Sequence, residues 1–308
     1  MRLRRTYKKL CAFTAAALLA GCASTPYSTP TDMGDGTAVA EPSAQSAALS
    51  QYYADLQRQM RLRGLLMQDE GNANVSVTSR LLARNFETIA LYDEYRPVPA
   101  GFVHQSVPSQ LRRWEKPVRM SVEFGASVPV ATRQADTQFI ANYAQRLSNI
   151  ADHPITVTSQ RPNYLVLVVG EDDKRATVQR VRAFAPNISD VTIATLENLP
   201  RSMLCLVYAF PSSTGSLSYG KAVAVIRAEH PTLLRRSCIH EEVAQGLGLA
   251  NDSPQARPSI FNDDEEFGFL TRHDELLLKI LYDPRLSVGM SADQARPVVQ
   301  TIAAELVG

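Results

Sequence analysis

Between Val118 and Asp252 the apolar residues change period repeatedly, and that alternation restricts the architecture more than any other feature of the chain. Val118, Met120, Val122 and Phe124 recur every second residue, the spacing of a strand with one buried face. Thr132 or Asp136 then opens a helix to about Ile150, carried by Phe139, Ile140, Tyr143 and Leu147. Strands follow over Ile155–Thr158, Tyr164–Val169, Met203–Phe210 and Lys221–Ala228, with a helical piece near Lys174–Phe184 and a helix from about Leu233. Strands mixed with helices, in a chain 45% hydrophobic, predict an α+β fold with a single mixed sheet and packed helices.

A helical annex over residues 46–97 precedes this α+β domain, which takes residues 98–308. One helix is predicted over Ala47–Gln68 (Leu49, Tyr52, Tyr53, Leu56, Met60, Leu65), stopped by Gly71-Asn72. A second spans Thr78–Tyr95 (Leu81, Leu82, Phe86, Ile89, Ala90, Tyr92), stopped by Arg96-Pro97 and followed by a turn-rich stretch to Pro108. Arg58, Arg61 and Arg63 are flanked by Asp55, Asp69 and Glu70, which reads as a solvated face.

The N-terminus is of a different kind. Arg2, Arg4, Arg5, Lys8 and Lys9 precede the apolar run Leu10–Ala20, too short to span a bilayer, so residues 1–21 read as a secretory signal peptide. Leu19-Ala20-Gly21-Cys22 resembles a bacterial lipobox, which implies lipidation of Cys22 and anchoring through its acyl chains. Ala23 behind it points, by resemblance to lipoprotein sorting, to the outer membrane. Residues 22–45, rich in Ser, Thr, Pro, Ala and Gly, form a flexible tether. Cleavage removes five of 32 basic residues and none of the 31 acidic ones, so the net charge passes from +1 to −4. A mildly acidic, periplasm-facing protein is a poor nucleic-acid binder, and the expected partners are the membrane and an envelope protein. Of four cysteines, Cys11 leaves with the signal and Cys22 is acylated. Cys205 and Cys238 remain, as a disulfide in an oxidising compartment or as two buried thiols.

The chemistry concentrates on one helix. In Cys238-Ile239-His240-Glu241-Glu242-Val243-Ala244-Gln245-Gly246-Leu247-Gly248, Ile239, Val243 and Leu247 form a buried stripe. Glu241, Glu242 and Gln245 cluster on another side, and Gly248 provides the exit. A strand, a helix opening His-Glu, a Gly-Leu exit, Pro258–Asn262 and a last helix from Leu270 to Tyr282 together resemble the catalytic half of a matrixin-type zincin metalloprotease. That resemblance implies a zincin-like core, His240 as a zinc ligand, Glu241 as general base and Asp252 as a substitute ligand beyond the exit. The second-ligand position holds Ala244, the third falls on Ala250, and the turn methionine is replaced by Phe261.

A second resemblance runs through Leu111–Arg119, Glu241-Glu242 with Gln245, Leu247-Gly248-Leu249, Asn251-Asp252-Ser253, Pro258–Asp263 and Leu281–Leu286. These motifs, over about residues 75 to 292, are similar to the proteobacterial lipoprotein family called domain of unknown function 2927. The family implies no activity, and its characteristic helix residues are the glutamates and the glutamine, which leaves His240 incidental.

Glu241, Glu242, Gln245, Asn251 and Asp252 are therefore expected to form a polar network that fixes the following loop. A cation site of oxygen ligands and a metal-free general base are the other readings. The acidic run Asn262–Glu266 reads as a solvated loop, Asp274 as the first turn of the last helix, Asp283-Pro284 as its end, and Trp114 as a core anchor. The function that follows is a non-catalytic binding or structural module of the envelope, with no cofactor. The rival is a zinc-dependent peptidase or other hydrolase using Glu241.

Overall fold

The computed structural model describes residues 31–32, 41–68, 77–98, 101–262 and 264–308. The basic leader, Cys11, Cys22, most of the tether and Gly71-Asn72 lie outside them. In chain order the elements are β1 (Thr31–Asp32), α1 (Ala44–Leu62), α2 (Ser79–Ala90), β2 (Tyr92–Val98), β3 (Gly101–Pro108), β4 (Val118–Phe124), α3 (Val130–Ala151), β5 (Ile155–Val157) and β6 (Tyr164–Val169). After them come α4 (Lys174–Phe184), α5 (Asp190–Glu197), β7 (Cys205–Pro211), β8 (Tyr219–Arg227), α6 (Thr232–Gln245), α7 (Arg272–Tyr282) and α8 (Ala292–Val307).

The fold is mixed α+β. The main sheet runs β1-β4-β6-β8-β7, with β5 beside β1 along the outer edge of β4; all neighbours are parallel except the antiparallel pair β7–β8. Period-two alternation splits the strands between two cores. Met120, Val122 and Phe124, with Tyr164, Val166, Val168, Ala224 and Ile226, face the larger core together with α2, α3, α6, α7 and α8. Leu165, Leu167, Val223 and Val225 face α4 and α5 on the other side. Helices thus cover both faces, so every residue of β4 but Arg119 is buried, rather than one face only. Even Glu123, on its polar side, is 1% exposed, because Arg180 of α4 meets it with two hydrogen bonds of 2.7 Å.

Several expectations change. α1 stops at Leu62, not Gln68, because Gly64 takes φ +80° and the chain turns so that Leu66 N–H donates to Glu265 O. α2 ends at Ala90, and the stretch expected to continue it and then turn is an antiparallel hairpin, β2–β3, forming a second sheet. Pro97 sits in this two-stranded ribbon, where a missing N–H is tolerated. α5 and α8 were not anticipated, although α8 carries its own signal, a Ser291/Gln294 capping box. The helix ending at Tyr282 is therefore not the last; Asp274 does sit in its first turn, closing a capping box with Thr271. No helix among the described residues is long and apolar enough to cross a membrane.

Candidate functional site

α6 is braced along its length. Its apolar stripe, Leu234, Cys238, Ile239 and Val243, is buried, and the Arg235 guanidinium forms an ion pair with Asp136 of α3 at 2.6 Å with both side chains almost fully enclosed. Breaking such a pair by removing one partner costs about 3–5 kcal/mol. Four aromatic side chains donate to carbonyls along the helix and its exit: Tyr143 to His240 O (2.8 Å), Tyr164 to Glu242 O (2.9 Å), Trp114 to Gly246 O (2.9 Å) and Tyr282 to Leu247 O (3.0 Å). Gly246 and Leu247 lie past the end of α6, where carbonyls have no intrahelical partner, so Trp114 and Tyr282 satisfy them, while Tyr143 and Tyr164 add second donors to carbonyls within the helix. Trp114 is the anchor expected of it. Gly246 is obligatory, since a Cβ there would stand 2.0 Å from the Tyr164 hydroxyl, and Gly248 leaves the helix at φ +126°.

Cys205 of β7 and Cys238 of α6 form a disulfide with Cα atoms 5.8 Å apart, which settles the choice between a bridge and two free thiols. It ties the antiparallel edge strand to the helix.

His240 faces the core. Its ring stacks on Tyr143 with centroids 3.8 Å apart at 8°, and Nδ1 accepts the Leu270 N–H at 3.0 Å. Burial, and then the charges of Arg146 and Arg236, push its pKa down to about 3, so the ring is neutral. Among the described residues, no group of three potential metal ligands includes His240 or Asp252. The helix turns position 240 onto Tyr143 and the Leu270 amide, and the two glutamates after it fall toward the opposite side, about 100° and 200° further round.

Glu241 and Glu242 lie on that opposite side. Their carboxylate oxygens and the Cys205 sulfur lie within 4.8 Å of one another, the one such group of three potential ligands among the described residues. Burial raises both carboxyls well above the usual range, and the negative charges of Asp252, Glu94 and Glu265 raise them further. Their position near the C-terminal end of α6 adds to this, since the helix dipole there favours cations. Glu242 is 5% exposed, and its Oε2 has no hydrogen-bond partner. Gln245 Nε2 donates to Asp252 Oδ1 at 2.9 Å, so part of the expected polar network forms. Asn251 does not join that pair: its backbone N–H and Nδ2 donate to Ile89 O and Thr88 O, fastening the loop to the end of α2.

Four contributors were not anticipated. Glu94 and Tyr95 come from β2, where the hairpin register shifts between Asp93 and Tyr95, a bulge that re-aims side chains. Burial first, and then neighbouring Glu94, hold the Tyr95 phenol well above its ordinary pKa. Glu265 belongs to the acidic run read as solvated, yet it is only half-exposed with φ +58°, and its charge reaches Glu241 and Glu242. Tyr208 of β7 is pushed up to about 12, mainly by burial and also by Glu242. Only the acidic run at Glu265 left a signal in the sequence.

The model of the family described as protein of unknown function (DUF2927) matches residues 79–301, and the chain belongs to that family. Neither a curated protein nor a solved structure matches it.

Proposed function

We propose that this member of a family without an assigned activity is a lipid-anchored, periplasm-facing protein of the outer membrane, and that it works as a non-catalytic binding or structural module. The observation that carries this reading is the fate of His240. A zincin needs the histidine of its His-Glu pair to offer a ring nitrogen to zinc, with a second histidine one turn later. Here one face of that ring is spent on Tyr143 and Nδ1 on the Leu270 amide, and Ala244 stands one turn on. The core is then zincin-like in its succession of elements without the donor set for zinc. The contact region for an envelope partner is the end of α6 with residues 251–264. Anchoring comes from acylated Cys22.

One observation favours a second reading, a metal-dependent peptidase or hydrolase. The Glu241 carboxyl is raised by burial and by neighbouring carboxylates, the tuning a general base near neutral pH requires. The two readings differ in zinc. Purified protein is expected to contain no stoichiometric zinc by elemental mass spectrometry and to cleave no peptide library. One zinc per chain that is lost in His240→Ala would overturn the non-catalytic reading.

A further inference from the structure

We propose that Glu241 and Glu242, joined by Asp252 under the hold of Gln245, form a binding site for a hard divalent cation of the calcium type. Four observations converge on it. Glu242 places a carboxylate in an enclosed position with Oε2 unpartnered, a costly arrangement unless something positive or a proton meets that oxygen. A carboxylate oxygen of the neighbouring Glu241 lies within 4.8 Å of one of Glu242, a spacing one cation can bridge. Gln245 holds Asp252 by the 2.9 Å hydrogen bond, keeping a further carboxylate on the loop near the pair, although outside the 4.8 Å group itself. Both glutamates also sit where the dipole of α6 presents its negative end.

The donor chemistry selects the ion. The sulfur in the group is the disulfide sulfur of Cys205, which carries no thiolate, and no histidine falls in the group. Oxygen donors alone suit calcium or magnesium rather than zinc or copper. Carboxylates drawn from a helix and an irregular loop meet calcium's flexible six- to eightfold coordination more readily than the strict octahedron of magnesium. Glu241 and Asp252 are only partly buried, so the ion can enter from solvent. This inference stands apart from the partner-binding reading, and neither its success nor its failure decides the zinc test above.

The test is thermal unfolding of the full chain in detergent at pH 8, stripped with chelator and titrated with calcium, magnesium or zinc chloride. Calcium at ~1 mM, the range of extracellular calcium modules, is expected to raise Tm saturably, with magnesium weaker. Glu242→Gln, which keeps the side-chain shape and removes the charge, is expected to weaken the calcium midpoint at least tenfold. The same variant should be no less stable than the parent in chelator, which shows that it folds. Asp252→Asn should weaken calcium by a smaller factor. Absence of any calcium or magnesium shift in the parent overturns the proposal. So does a calcium midpoint unchanged in Glu242→Gln, a response to zinc alone, or a metal-free Glu242→Gln protein less stable than the parent, which would make the carboxylate a structural partner.

Discussion

His240 and Glu242 stand two residues apart on α6 and are driven to neutrality from opposite directions. His240, lowered to about 3 by burial and two arginines, stays unprotonated in the fold, whereas the unfolded chain protonates it near 6.5. Stability from this residue is therefore present above about pH 6.5 and lost as pH falls toward about 3. Glu242 carries the reverse sign. Its folded carboxyl, raised by burial and by Asp252, Glu94 and Glu265, keeps a proton that the unfolded chain has released. Stability is then present below the ordinary carboxylate range and lost as pH rises through the folded value. Urea unfolding in chelator between pH 6 and 9 should show the parent losing stability with rising pH and Glu242→Gln losing less of it. Each pKa unit is worth ~1.4 kcal/mol. Equal slopes would remove Glu242 as the source. At this scale the paired glutamates and Gln245 were legible as a cluster, because helical spacing puts them on one side. The inward turn of His240 was not, because it rests on Tyr143 and the Leu270 amide, both remote in sequence.

Among the elements, β7 and α6 are joined by the only covalent cross-link between the described residues, Cys205–Cys238, closing 33 positions of chain. Replacing both cysteines with alanine should cost about 2–4 kcal/mol in urea unfolding, with the circular dichroism of the folded state retained. In the parent, neither Cys205 nor Cys238 should take up a thiol label in denaturant before reduction. A label on both would contradict the bridge. β4, β6, β8, α3, α4 and α7 were readable from period and from stop residues such as Asp283-Pro284, which act over a few neighbouring positions. The hairpin β2–β3 was not, because Tyr92 continues the apolar spacing of α2, and only strand pairing separates the two readings. α5, short and capped by Ser189, gave too weak a periodic signal to find.

For the whole molecule, the sheet covered on both faces ends in β7 on one edge and in the short β1 and β5 on the other, and α6 packs beside β7 with its carboxylates turned toward Asp252, Glu94 and Glu265. Anchoring belongs to this scale as well. Cys22→Ser is expected to move the protein from the membrane pellet to the soluble periplasmic fraction and to abolish the mass of an acylated N-terminal peptide. An unchanged distribution would remove the lipid anchor. Near-neighbour chemistry is enough to predict an α+β fold, to set most helices and strands, and to single out the glutamate helix. Such features depend on residues within a turn or a strand of each other. Which glutamate oxygen is left enclosed without a partner, that Glu94 and Glu265 come to surround it, and that His240 is withdrawn into the core were decided only by the packed fold. Those facts are set by desolvation and charge between groups far apart in the chain, and they exist only once the sheet and helices have closed around them.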